Sequence, residues 1–298
     1  LLGFDYVGPG RISRIHELIH SEEKIDPAFI ARMHTDQVST IARKTARAIA
    51  SLSSPDPELQ IILRRMQAWD GSLSAESCEA TVYHAFLMLL AHRLLDPVLG
   101  DLAPHYLGKG ITPVLAEGSM LAEHAHEWIT QLLDQPASPW WDLGAGETRQ
   151  EVMLSVLRQT VDFLKEKLGP DSRSWAWGKV HQLALGHVLG AKKPLDSLFN
   201  RGPYPLGGDS DTVWAAGIAR FSLENGTMVG PPFRFIADLE DLGRSLGQLL
   251  PGQSGQPTSP HYSDNVQAWL KGEYHPMCFH RPEVLAHAAA TLTIQPAT

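Results

Sequence analysis

The first half of the chain repeats apolar residues at helical intervals. Ile12, Ile15, Leu18 and Ile19 recur at steps of three, three and one, which places them on one helix face. Asp26-Pro27 reads as an N-cap followed by proline at the first helical position, and the pattern then predicts helix from Pro27 towards Ala50. Ser53-Ser54-Pro55-Asp56-Pro57 is a break, after which Glu58 to Ala68 predicts another helix, closed by Trp69-Asp70-Gly71. Thr81 to Leu99 is rich in Ala, Leu, Met and Phe with few charges, as suits a buried helix. Two further helices are predicted near Val114–Leu133 and Glu147–Leu168. After Gly169-Pro170 the pattern changes. Thr212-Val213-Trp214, Ile218 to Leu223 and Phe233 to Ala237 predict strands, and the second alternates in part. Asn225-Gly226 carries a tight-turn signal, which would join two of them as a hairpin. A strand end at Leu249-Leu250 runs into the polar loop Pro251 to Pro257, and a short helix is expected at Asp264–Leu270. The expected class is α+β, with a helical region over 1–170 and a strand-rich part over 171–298.

Composition narrows the functional classes. The chain has 298 residues, 43% hydrophobic and 19% charged, enough to bury a sizeable core. Its formal net charge is -8, and no basic run exceeds Lys192-Lys193, so nucleic acid is excluded as a partner on electrostatic grounds. No apolar stretch of about 20 residues is present, so no membrane-spanning helix is expected. Cys78 and Cys278 lie too far apart in sequence for a metal-type pair and read as free thiols.

One short motif carries chemistry of its own. His16-Glu17-Leu18-Ile19-His20 matches H-E-x-x-H, which puts two imidazoles one turn apart with a glutamate placed to activate a zinc-bound water. The extended metzincin pattern would need Gly and His where this chain has Glu23 and Asp26. A zinc metallopeptidase stays as the alternative reading, and an amphipathic surface helix is the bland one. His124-Ala125-His126 places its two rings on different helix faces. Asp209-Ser210-Asp211 resembles the opening of a calcium loop without the rest of it, and reads as an aspartate-rich turn. Gly252-Gln253-Ser254-Gly255 falls one residue short of the G-x-S-x-G nucleophile elbow.

Several segments, in order, resemble the penicillin acylase (penicillin amidase) family of N-terminal-nucleophile hydrolases. They are Ala68 to Gly71, Trp175 to His181, Asn200 to Val213, Phe233 to Leu239 and Pro251 to Asp264, with Trp269 to Gly272, Tyr274 and Pro276 behind them. The resemblance covers nearly the whole chain and implies the C-terminal part of a large subunit. The fold implied is part of an αββα architecture. The reaction implied is amide hydrolysis by the hydroxyl of an N-terminal serine, with its own α-amino group as base. That amine has an ordinary pKa near 8, which suits neutral pH.

Leu1 carries neither hydroxyl nor thiol, so the resemblance implies that the nucleophile, the oxyanion asparagine and the small (alpha) subunit all lie outside these residues. By itself the chain is expected to be inactive. Its implied partners are the N-terminal part of the large subunit, the small subunit and a small N-acyl substrate: a penicillin, an acyl-homoserine lactone or a related amide. No cofactor is implied, and the family's calcium ligands fall before Leu1, so no metal is expected here. The family usually works in the periplasm or outside the cell. An acylase-like chain without catalysis is a further alternative. One supporting catalytic position is implied, an arginine at a helix start that organises the nucleophile region. In Gly10-Arg11-Ile12-Ser13-Arg14-Ile15 the best fit is Arg11, with Arg14 its rival one turn on. Gly207-Gly208, Gly252 and Gly255 are expected to serve backbone conformation or close approach, and His261 and Tyr262 to anchor their loop.

Overall fold

A computed structural model of the chain describes residues 7–109, 120–144, 146–224 and 227–296. Contacts divide it into two compact units: one runs through Ser21 and from Asp36 to Gly230, the other comprises Glu22–Thr35 and the chain from Pro231. The class is α+β, with helices filling the first half and strands coming later.

The first unit is organised by its helices α1 (Gly10–Ile19), α3 (Thr40–Ala50), α4 (Pro57–Ala68), α5 (Cys78–Leu99), α6 (Met120–Leu132) and α7 (Arg149–Leu168). Helix α5 starts at Ser77, whose hydroxyl accepts from the Ala80 amide at 3.1 Å. It is apolar nearly all round and unbroken burial runs from Ala80 to Met88, the expected behaviour of a central helix. Helix α7 packs against it through Val152, Met153, Val156, Leu157, Val161 and Leu164, all buried. A reciprocal capping box fixes the start of α7: Thr148 N donates to Glu151 Oε2 at 2.8 Å, and the Glu151 amide donates to Thr148 Oγ1 at 3.3 Å. The apolar core drawn from α3 to α7 extends to Trp175, Trp177, Ile218, Phe221 and Leu223.

Strands enter the first unit as two short antiparallel pairs, with a single helical turn α8 (Asp196–Phe199) between the first two strands. β1 (Gln182–Leu185) pairs with β2 (Arg201–Pro205), Leu183 opposite Tyr204. β3 (Gly217–Ile218) pairs with β4 (Thr227–Val229), a strand not among those the sequence predicts, and the Phe233 strand pairs elsewhere; Asn225-Gly226 lies outside the described residues.

In the second unit α2 (Pro27–His34) opens on Asp26, whose carboxylate accepts from the Phe29 amide at 2.6 Å. It packs on an antiparallel sheet of β5 (Phe233–Ile236), β6 (Leu246–Leu249) and β7 (His275–Pro276), with α9 (Val266–Leu270) beside β6 and a final α10 (Arg281–Ala286). Strand alternation is clear in β5: Arg234 and Ile236 are buried, whereas Phe233 and Phe235 are exposed and stack on each other at 6.0 Å.

The structure corrects three expectations. The helix from Pro27 towards Ala50 is two helices, because residues 36–39 leave the helix to pair with the stretch after α4. The Ser39 amide donates to the Gly71 carbonyl at 3.0 Å and the Leu73 amide to the Gln37 carbonyl at 2.9 Å, while Ser39 caps α3. Thr212-Val213-Trp214 is a bend rather than a strand, because Asp209 Oδ1 accepts from the amides of Asp211 and Thr212 at 2.7 and 2.9 Å. Of the run Ile218 to Leu223, only Ile218 is in a strand; Arg220 and Phe221 turn away. The predicted helices at Glu58–Ala68, Thr81–Leu99 and Glu147–Leu168 and the strand at Phe233 are all present. Val114 to Ser119 lie outside the described residues, and the remainder of that helix is α6.

Three histidines are built into the core of the first unit. The His84 and His181 rings lie 5.3 and 5.0 Å from that of Trp177, whose indole N–H donates to the Gly208 carbonyl at 3.0 Å. Burial depresses His84 and His181 to about 4, against the pull of the Ser222 and Leu206 carbonyls they donate to. Burial, aided by the Arg220 charge, depresses His126 to about 3. An unfolded histidine binds its proton near pH 6.5. The native state therefore holds fewer protons, and the stability present above that pH is lost as pH falls towards about 4. Asp209, which burial pushes above the usual carboxylate range, opposes this with one proton against three. Urea unfolding should thus show a lower midpoint at about pH 5 than at about pH 7.5. An equal or higher midpoint at the acidic pH would contradict the neutral, buried state of these rings.

Candidate functional site

The start of α1 is where chemistry-bearing side chains converge. Arg11, in the first turn of the helix, donates through Nη2 to the carbonyl oxygen of Ser210. Arg14, the rival position, faces a different set of partners. Its Nε and Nη2 hold both oxygens of Asp36 at 3.0 and 2.7 Å, and Nη1 reaches Glu17 at 2.9 Å. That bidentate clamp ties α1 to the segment before α3, and Asp36 holds Arg14 well above the ordinary arginine range despite partial burial. The structure thus gives the two arginines distinct tasks, with Arg14 engaged in the scaffold and Arg11 set against the turn at Ser210.

That turn is buried and ionic. Asp209 is 3% exposed and Asp211 6%. Gly208, at φ +77, lets the chain enter it; a side chain there would meet the Trp214 carbonyl at 2.4 Å. Thr212 Oγ1 donates to the Trp214 carbonyl at 2.6 Å and accepts from the Asp209 amide at 2.9 Å. Behind the turn Arg220 spans two carboxylates. Nη1 and Nη2 reach Asp211 at 2.6 and 3.1 Å, while Nε and Nη2 reach Glu123 of α6 at 3.0 and 2.6 Å. Burial works against the guanidinium charge, but Asp211 and Glu123 hold it well above the ordinary arginine value. For Asp211 burial alone would raise the pKa; the charges of Arg220 and, behind it, His126 and Arg11 bring it below the usual range. Asp209 moves the other way, through burial and the neighbouring charge of Asp211. Two carboxyls two residues apart are therefore shifted in opposite directions, Asp211 downward by the Arg220 charge and Asp209 upward by burial beside Asp211.

Tyr83, His84, Leu87, His126, Asp209, Ser210, Ile218 and Arg220 enclose a cavity of only about 10 Å³, room for no more than a water molecule. The cluster is too tightly packed to be a substrate pocket. A groove of about 490 Å³ on α3 and α4 is lined by Arg43, Arg47, Met66 and Trp69, with Arg43 already bound to Glu17 and to the Asp70 carbonyl.

The other sequence candidates take ordinary places. His16 and His20 stack at 5.9 Å on the exposed side of α1, and His20 Nδ1 bonds the His16 carbonyl at 2.7 Å. Glu17 is held by Arg14 and Arg43, at 2.9 and 3.0 Å, and lies below its usual pKa. Among the described residues no three of His, Cys, Asp and Glu gather as a metal ion would require. His261 bonds Asp264 at 2.8 Å and its carbonyl accepts from Ser254, which anchors the loop at Gly252. A side chain at Gly252 would meet the His261 carbonyl at 2.4 Å, whereas Gly255 stands in open space and serves no close approach. Cys78 is buried and Cys278 half-buried, both free.

Sequence reading missed Arg220, Glu123, His126 and Tyr83. Arg220 did leave a signal: a lone arginine inside the otherwise apolar run Ile218 to Leu223 has to find a buried anion.

The chain is 29% identical over 296 residues to the acyl-homoserine lactone acylase QuiP of Pseudomonas aeruginosa, covering 89% of this chain and 34% of that protein. It is 25% identical over 297 residues to the penicillin acylase 2 proenzyme of a Pseudomonas species, covering 97% of this chain and 36% of that protein. It thus spans about a third of the length of these relatives. A thermostable penicillin G acylase from Alcaligenes faecalis shares its fold, with a TM-score of 0.58 at 14% identity over 99% of this chain and 54% of that one. The sequence model of the penicillin amidase family matches residues 1–286, and the chain belongs to that family.

Proposed function

We propose that this chain is the C-terminal part of the large subunit of an amidohydrolase that cleaves the amide bond of N-acyl compounds: penicillins, acyl-homoserine lactones or related amides. The observation that carries the reading is the family match over residues 1–286, together with relatives about three times as long whose names are those of acylases. In this reading the nucleophile is an N-terminal serine outside these residues, as are the oxyanion asparagine and the small subunit. The serine hydroxyl adds to the acyl carbonyl as its proton passes to the serine's own α-amino group, the amine leaves, and water releases the acid from the ester. The chain alone is inactive, and the assembled enzyme works in the periplasm or outside the cell.

Arg11 is this chain's contribution to the chemistry. A guanidinium keeps its charge at any working pH and offers a fixed fork of donors, so it can hold the Ser210 carbonyl and still have N–H groups to offer a second partner. Expression of the full reading frame, with hydrolysis of phenylacetyl and long-chain acyl amides measured with and without chelator, tests this. The expected outcome is chelator-insensitive amide hydrolysis, with kcat lowered on the order of 100-fold in Arg11→Ala and about 10-fold in Arg11→Lys. Activity that disappears on zinc removal and returns with zinc would instead establish the His16–Glu17–His20 reading. Full activity in Arg11→Ala would remove Arg11 from the mechanism.

A further inference from the structure

Arg11 carries a long, exposed side chain, and holding such a side chain in one direction costs up to about 2 kcal/mol in rotamer entropy. Where it points depends on how firmly its acceptor is held. That acceptor, the Ser210 carbonyl, lies between two buried aspartates that are fixed in different ways. Asp209 is bound by the amides that follow it, whereas Asp211 is bound by Arg220, itself clamped by Glu123 from α6. The same Asp211 also sets the start of α1. A side chain on Gly10 would sit 3.4 Å from the Asp211 Cβ and Oδ1 and 3.0 Å from Ile41, so the helix start lies directly against this carboxylate. A negative charge there is favourable for a helix N-terminus. One turn therefore places both the backbone before Arg11 and the oxygen its guanidinium reaches.

We infer that Arg220, clamped between Glu123 and Asp211, is the positioning residue for Arg11, acting through the Ser210 carbonyl and the start of α1. The inference rests on the proposed amidase reading and assigns the buried ionic cluster a place in it. Arg220 touches no substrate: it decides where the charge of Arg11 is presented. Lysine in its place would carry the charge but could not hold two carboxylates with a planar fork. Glutamine for Glu123 would keep the shape and weaken the clamp from the α6 side.

The test uses the full-length processed protein with Arg220→Lys, Glu123→Gln, Arg11→Ala and the two pairs that combine Arg11→Ala with each of the others. In the single variants kcat is expected to fall about tenfold or more while KM stays within about threefold. In the Arg11→Ala background, adding either substitution should change kcat by less than about twofold, since residues acting as a unit are not additive. Losses that multiply in full would overturn the positioning role. Crystal structures of wild-type and Glu123→Gln protein give a readout independent of activity: Arg11 should leave the Ser210 carbonyl in the variant, and an unmoved contact would overturn the inference. Should the wild-type protein hydrolyse no acyl amide, the functional reading fails, and the crystallographic comparison still decides whether the cluster positions Arg11.

Discussion

The guanidinium of Arg220, withdrawn from water between Glu123 and Asp211, is the interaction on which the functional end of the first unit depends. Withdrawing a charge from water costs several kcal/mol, and only close, geometrically matched partners offset that cost. Here two carboxylates, one from a helix and one from a turn, supply five contacts between 2.6 and 3.1 Å. Such a cluster adds little net stability compared with apolar packing, but removal of Arg220 leaves two carboxylates without their counter-charge. Its value lies in specifying one arrangement. Around it, the Asp209 turn, the start of α1 and the carbonyl that receives Arg11 have little freedom left.

The apolar core of the same unit is built on a simpler principle. α5 is apolar on nearly every face, so it has to lie at the centre, and α7 presents a stripe at helical spacing to it. Trp177 joins the two regimes: it packs in the core between two neutral histidines and donates to Gly208, one residue before the ionic turn. The fold thus couples its least polar element to its most polar one through a single indole N–H.

The helices were legible because periodicity and caps act locally. Asp26 marks a start that the structure keeps, and Ser77 and Thr148 cap α5 and α7 close to the starts at Thr81 and Glu147 that composition and periodicity predict. The strands were less so. β2 contains Gly202 and two prolines, a poor strand sequence that survives only in a two-stranded ribbon, and β3 is two residues long. Residues 36–39 could not be recognised as a break because their partners, Gly71 and Leu73, lie more than thirty residues away. The site followed the same division. Arg11 is implied by the family resemblance of Gly10 to Ile15, but its acceptor is 199 residues distant, and the pairing of Arg220 with Glu123 spans 97. A pair separated by that distance leaves no periodic trace, only the oddity of a charge in an apolar run.

The most direct test of the central claim is a double-mutant cycle on Arg220 and Asp211, read by urea unfolding of the folded protein. Arg220→Met leaves Asp211 buried without its counter-charge and should cost roughly 3–5 kcal/mol, whereas Asp211→Asn leaves Arg220 to Glu123 alone and should cost less. The double variant strands neither of the pair, so it should be more stable than the sum predicts by more than about 1 kcal/mol. Costs that add to within about 0.5 kcal/mol would show that the two residues do not act as one buried pair, and the account of how Arg11 is placed would fail with them.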